Sequence, residues 1–146
     1  ARDAKALGYA VKLDTNGSFP DRLLYFIEEG LVDYVAMDVK NAPSRYAETV
    51  GLPSFDLRPI NRSVSLLLEN RVPYEFRTTV VKEFHDLKDL LELARWIQGA
   101  EKYFLQGFED AESVIQKGLT AYSQAELDGF AETLRPILPT VSVRGK

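Results

Sequence analysis

The stretch Asp33-Tyr34-Val35-Ala36-Met37-Asp38-Val39-Lys40 decides how this chain is read. Side chains of a strand alternate between its two faces, so the run splits into two sets. Val35, Met37 and Val39 fall on one face, and Ala36, Asp38 and Lys40 on the other. Upstream, Tyr9 to Asp14 repeats the pattern, with Val11 and Leu13 opposed to Lys12 and Asp14. Downstream, Tyr74 to Val81 opposes Tyr74, Phe76, Thr78 and Val80 to Glu75, Arg77 and Thr79. Strands covered on both faces of a parallel sheet read as near-continuous apolar runs. These three carry instead one apolar face, fit to lie under helices, and one charged face of mixed sign.

Helical patterns fill the gaps. Pro20 stands where a first turn accepts it, and Leu23, Leu24, Phe26 and Ile27 form an apolar face before Gly30. Asn41-Ala42-Pro43 reads as a loop, followed by a short helix around Tyr46 that Gly51-Leu52-Pro53 breaks. Ile60, Val64, Leu67 and Leu68 have helical spacing, and Pro73 prevents their helix from continuing. Asp86 is an N-cap for a helix whose stripe is Leu87, Leu90, Leu91, Ala94 and Ile97, with Gly99 at its end. A short fourth strand is predicted at Lys102 to Gln106, then a loop with a helical turn over Glu109 to Leu119. Ser123-Gln124-Ala125-Glu126 is a capping box opening a helix to about Leu134, and Val141-Ser142-Val143 makes a final strand. Arg2 to Leu7 reads as a polar helical stub ending at Gly8. Alternation of this kind predicts four to five β/α units, parallel strands and right-handed crossovers, with residues 1–146 as a single α/β domain.

Apolar residues make up 45% and charged residues 27% of the chain, the proportions of a soluble globular protein rather than a disordered one. No apolar run approaches the roughly 18 residues of a membrane span. Ala1 to Gly8 contain Arg2, Asp3 and Lys5 and no apolar signal-peptide core, so a cytoplasmic location and no membrane partner are expected. The net charge of −4 argues against a duplex nucleic-acid surface. There are no cysteines, which excludes disulfides and thiolate metal ligands, and the single histidine, His85, cannot build a zinc site alone. Placed between a strand and a helix, His85 reads as a surface loop residue, and Trp96 as a helix-packing residue.

Asp14, Asp38, Lys40 and Arg77 fall toward the C-terminal ends of their strands, the edge where α/β folds bind ligands. Burying an unpaired charge is costly, so these groups imply mutual pairing, a ligand or water. The plainer alternative is a solvated face of an open sheet.

At Leu13-Asp14-Thr15-Asn16-Gly17 the sequence resembles the radical S-adenosylmethionine activating enzymes, the activases of glycyl-radical enzymes such as pyruvate formate-lyase and anaerobic ribonucleotide reductase. Asp33 to Lys40 is similar to that family's strand ending in Asp-x-Lys, and Tyr74 to Val81 to its next strand with an arginine. Leu105-Gln106-Gly107-Phe108 and Val143-Arg144-Gly145 continue the register. The resemblance implies a partial parallel (β/α) barrel that binds S-adenosylmethionine across its C-terminal strand edge. Asp14, Thr15 and Asp38, with Asn16 beside them, would lie near the cofactor's methionine carboxylate, where some relatives hold a monovalent cation. Lys40 and Arg77 would be the cationic groups facing cofactor and substrate. It further implies a four-iron four-sulfur cluster in an intact parent, and a glycyl-radical enzyme as partner.

The departures are equally specific. The family's Cys-x-x-x-Cys-x-x-Cys motif and its Gly-Gly-Glu segment are expected upstream of Ala1, which marks the chain as the C-terminal part of such an enzyme. Low-potential clusters are held by thiolates, so no catalytic residue is assigned here and no radical chemistry is expected of this chain alone. Phe108 stands where some activases carry a histidine. Two other readings remain open: a cysteine-free binding module or complex subunit built on the same half-barrel, and an aldolase-like enzyme with Lys40 as a Schiff-base amine. Without preceding strands, the one near Leu13 would be an open edge prone to pairing with a second copy.

Overall fold

A computed structural model describes residues 8–108 and 118–144. Five strands, β1 (Lys12–Thr15), β2 (Tyr34–Asp38), β3 (Tyr74–Val80), β4 (Tyr103–Gly107) and β5 (Val141–Arg144), form one sheet in that order, each pair parallel. Strand order follows chain order without reversal, unlike the doubly wound folds. Crossovers of one hand then put every helix on the same face. The opposite face is left for chemistry, as in a segment of a parallel barrel.

The helices are α1 (Pro20–Glu28), α2 (Tyr46–Val50), α3 (Arg58–Leu68), α4 (Leu87–Trp96) and α5 (Gln124–Leu134), with a 3₁₀ turn at Pro43–Arg45 before α2. Prolines stand in the first turns of α1 and α3, where no backbone donor is missed. Both anticipated caps are formed. Asp86 accepts from the Asp89 N–H while Asp89 accepts from the Asp86 N–H, and Ser123 and Glu126 do the same for α5. The core lies between helices and sheet: Val35, Met37, Tyr74, Phe76, Tyr103 and Leu105 from the strands meet Leu23, Ile60, Leu67, Leu90 and Leu134 from the helices. Trp96 packs edge-on against Tyr46 and donates its indole N–H to Asn61. It is a packing residue, as its sequence context indicates.

Strand ends differ from the sequence reading in instructive ways. β1 begins at Lys12 rather than Tyr9. At Val11 the N–H is taken by the Asp33 carboxylate at 2.6 Å and the carbonyl by the Asp33 N–H at 2.7 Å, so the ladder starts only beyond that clasp. β2 ends at Asp38, two residues early, and β3 at Val80, with Val81 bridging antiparallel to Ala121. The final strand is real and extends to Arg144, paired with β4. The anticipated N-terminal stub and most of Glu109 to Leu119 lie outside the described residues.

The turn after β1 shows why its glycine is needed. Gly17 has φ +78°, and a Cβ there would lie 2.3 Å from the Cε of fully buried Met37. The Ser63 hydroxyl donates to the Gly17 carbonyl at 2.8 Å, fixing the turn onto α3. Gly17→Ala is expected to lower stability by about 1–2 kcal/mol, because the left-handed backbone is strained and Met37 has to move within a packed core. Urea unfolding checks this; an unchanged midpoint contradicts it.

Candidate functional site

The charged faces of β1, β2 and β3 converge on Arg77. Its Nε donates to Asp38 Oδ1 at 2.7 Å, and its Nη2 stands 3.5 Å from Asp14 Oδ1. Sheet register explains the geometry, since Asp38 pairs directly with Arg77 and Asp14 lies one residue pair further back, opposite Ala36. The small Ala36 side chain, fully buried, leaves the guanidinium room to cross β2. The Arg77 side chain is only 17% exposed. Burial opposes its charge, but the Asp38 hydrogen bond and the two carboxylates outweigh burial and raise its pKa.

A second charged layer lies beneath. Glu75, 3% exposed, accepts from the Tyr34 hydroxyl at 2.8 Å and from both terminal nitrogens of Arg144 at 3.0 and 3.3 Å. Arg144 stacks over the Phe104 ring at 3.9 Å. Burial pushes the Glu75 carboxyl up, yet Arg144 and Tyr34 bring it below its ordinary value, while burial and Glu75 push Tyr34 up to about 12. This fork-shaped pairing of Arg144 with Glu75 was not anticipated. Arg144 follows an apolar alternation only three residues long, too short to set its face.

Six residues were expected at the site: Asp14, Thr15, Asn16, Asp38, Lys40 and Arg77. Asp38, Lys40 and Arg77 line a cavity of about 510 Å³ together with Thr49, Thr79, Phe84, His85 and Phe108 among others. Asp14, Thr15 and Asn16 line a second hollow of about 310 Å³ beside α1, with Phe19, Arg22 and Phe26. The Arg77–Asp14 contact joins the two sets. Thr15 and Asn16 are also engaged in the turn itself: Thr15 Oγ1 accepts from the Gly17 N–H and Asn16 Oδ1 from the Ser18 N–H. Lys40 is exposed, and among the described residues it makes no ion pair.

His85 is not a surface residue. It is 1% exposed, because a turn over Lys82–Phe84 returns the chain under the end of β2. Its Nδ1 accepts from the Val81 N–H at 3.1 Å and its Nε2–H donates to the Lys40 carbonyl at 2.8 Å. Both contacts suit the neutral ring. A lone histidine after a strand gives no sequence signal of this.

The chemistry available to these side chains is binding and orientation. Among the described residues no three or more His, Asp or Glu side chains gather to hold a metal ion. With no cysteine in the chain, a thiolate-held iron–sulfur cluster does not fit its residues. The larger cavity has the volume of an ordinary ligand site and is lined by the exposed Lys40, the paired Arg77, two threonines and apolar side chains including Phe84 and Phe108.

A parallel sheet with a charged open face and a ligand cavity at its C-terminal edge defines the class. No protein-family model matches the chain. It is 32% identical over 149 residues to a protein of Methanocaldococcus jannaschii assigned by name to the glycyl-radical enzyme activating enzymes, and the match takes in 99% of this chain. The chain spans 62% of that relative's length. In fold it is similar to a domain of the pyruvate-formate lyase-activating enzyme of Bacteroides vulgatus, with a TM-score of 0.67 and 15% identity over 98% of this chain and 86% of that one. The chain is thus similar in sequence to a protein named for glycyl-radical enzyme activation, and its α/β fold is that of a domain of a pyruvate-formate lyase-activating enzyme.

Burial lowers the His85 pKa more than its backbone hydrogen bonds and the nearby Asp89 raise it. Asp89 is itself paired with Arg45 at 2.7 Å, and the Tyr122 hydroxyl donates to the His85 carbonyl. Above about pH 6.5 the ring is neutral in both folded and unfolded chains and adds no pH dependence. Below it, the unfolded chain takes up a proton that the folded site resists, so stability falls with pH until the folded pKa is reached. The loss should approach about 1.4 kcal/mol per pH unit at its steepest. Urea midpoints between pH 7.5 and 5.5 should fall in the wild type and stay flat in His85→Gln; parallel slopes contradict the assignment.

Proposed function

We propose that this chain is the S-adenosylmethionine- and substrate-side portion of a radical S-adenosylmethionine activating enzyme, acting in the cytoplasm to generate a glycyl radical on a partner enzyme. The observation that carries the reading is the state of the cations at the strand edge. Arg77 is paired with Asp38 and Asp14, while Lys40 stands exposed at the same cavity and makes no ion pair among the described residues. An anionic group entering the cavity therefore finds its counter-charge at Lys40. The methionine carboxylate of S-adenosylmethionine supplies such a group, and its sulfonium is positive, which suits a site whose next charges are acidic.

The division of labour follows from the residues. No residue of this chain would hold a four-iron four-sulfur cluster; thiolates elsewhere would hold it, and the one-electron chemistry would be the cluster's. Lys40 would hold the carboxylate. Asp14, Thr15, Asn16 and Asp38 would orient the same end of the cofactor, with Arg77 keeping the two aspartates in place. Phe84 and Phe108 would keep water from the apolar part. The chain alone is expected to be inactive, and its residues bind and orient rather than react.

Two measurements test this. In the full-length protein, reconstituted without oxygen, Lys40→Met should weaken S-adenosylmethionine binding by about tenfold or more and reduce 5′-deoxyadenosine release accordingly. Undiminished affinity would sink the reading. β1 has one neighbouring strand among the described residues, and the hollow beside it is lined by the half-buried Leu13 and the 64%-exposed Phe19. The 146-residue chain expressed alone should therefore self-associate through that edge. Light scattering that finds a monodisperse monomer at high concentration contradicts this part.

A further inference from the structure

The ladder between β2 and β3 stops at the Val39 N–H, which donates to the Arg77 carbonyl at 2.9 Å. Beyond it no further register pair joins β2 and β3, and the Thr78 hydroxyl donates to the Val39 carbonyl at 2.8 Å. What joins them there is a reciprocal exchange of side chains. His85 donates through Nε2–H to the Lys40 carbonyl at 2.8 Å, and Asn41 donates through Nδ2 to the Phe84 carbonyl at 2.7 Å. Residues 40 and 41 thus meet residues 85 and 84 in a crossed pair of bonds.

The exchange is buried and fully satisfied. Asn41 is 0% and His85 1% exposed. Asn41 Oδ1 accepts from the Ala42 N–H, and its amide also donates to Thr49 Oγ1. The second ring nitrogen of His85 accepts from the Val81 N–H, and the Lys40 N–H donates to the buried Tyr46 hydroxyl at 3.2 Å. Both backbone groups of Lys40 are therefore held by side chains from outside the sheet. Its own side chain is exposed and lines the larger cavity, as does His85. No catalytic demand accounts for a histidine locked in this way; fixing its neighbour does.

We propose that His85 and Asn41 form a reciprocal latch between the ends of β2 and β3, and that His85 is the positioning residue that sets where the Lys40 ammonium enters the cavity. Phe84 and His85 line the cavity too, so the part of the latch that acts through Lys40 is the part lost when Lys40 is replaced. Loosening it lets the Lys40 backbone shift while Asp38 and Arg77, inside the ladder, stay in register. The consequence for S-adenosylmethionine rests on the function proposed above; the latch itself does not.

The test uses the full-length protein and two shape-matched variants. His85→Asn keeps an acceptor near the Val81 N–H but is too short to reach the Lys40 carbonyl. His85→Gln carries an amide N–H long enough to reach it. In ligand-free protein, the carbonyl and ε-carbon NMR signals of Lys40 should move in His85→Asn and return toward wild type in His85→Gln. Calorimetry with S-adenosylmethionine should show affinity weakened by about tenfold in His85→Asn, but by less than about twofold when the same change is made in Lys40→Met. Unmoved Lys40 signals, or equal losses in both backgrounds, overturn the proposal. Should His85→Asn not fold, Asn41→Ser removes the other arm, and the same Lys40 signals decide. If the wild type binds no S-adenosylmethionine, the ligand assignment fails, and the ligand-free signals alone settle the latch.

Discussion

A guanidinium shared by two carboxylates organises the open face of this sheet. Asp14 and Asp38 sit on adjacent parallel strands, and both lean toward the Arg77 that crosses between them. Take the cation away and two anions are left on adjacent strand ends, where like charges repel. Replace either acid and a mostly buried guanidinium loses part of its compensation. The three charges therefore fix one another, and through them the relative placement of three strand ends. Glu75, Tyr34 and Arg144 repeat the device one layer lower and extend it to β5. Such pairs contribute little net stability compared with a packed apolar face, but they specify an arrangement, and arrangement is what a binding edge requires.

Rigidity at that edge comes from hydroxyls and amides as well as charges. The Tyr103 hydroxyl donates to Thr78 Oγ1 at 2.7 Å, and Thr78 donates to the Val39 carbonyl at 2.8 Å. This chain of bonds runs from β4 through β3 to the residue before Lys40, entirely within buried space. Burial pushes the Tyr103 pKa up against the opposing effect of the Thr78 hydrogen bond, so the hydroxyl keeps its proton and its role as donor. Thr78 belongs to the apolar face by alternation, yet its hydroxyl costs nothing to bury because both of its bonds are made. The apolar side of the sheet thus supports the charged side through one polar thread.

How much of this was legible in the sequence depends on the range of the forces involved. Period-two alternation in Asp33 to Lys40 and Tyr74 to Val81 revealed the strands and their two faces, because burial of one face is a strong, local constraint. Capping at Asp86 and Ser123 was legible for the same reason: donor and acceptor are three residues apart. The convergence of Asp14, Asp38 and Arg77 could be read from strand order, since parallel neighbours place their C-terminal ends together. Strand limits were less legible. Whether Val11 joins the ladder depends on Asp33, twenty-two residues away, and no local pattern encodes that contact. His85 was misread for a similar reason. A polar residue between a strand and a helix looks solvated unless one knows that Lys40 and Val81 present a carbonyl and an N–H to its two nitrogens. Arg144 lay at the end of a run too short to orient it, and only the pairing of β5 with β4 turns it toward Glu75.

The same contrast separates the two faces of the sheet. Its apolar face is complete: strand and helix residues bury one another in one continuous core. On the charged face Asp38 and Asp14 share Arg77, Asp14 also stands 4.0 Å from the Lys12 ammonium, and Lys40 makes no ion pair among the described residues. An excess cation at an otherwise balanced edge is costly only if it is buried, and Lys40 is exposed, so the fold tolerates it. A ligand that brought a single negative charge to that point would complete the balance without displacing any existing pair. Selectivity for such a ligand would then lie in distance rather than in charge alone, which makes the backbone position of Lys40 the quantity the surrounding structure has to control.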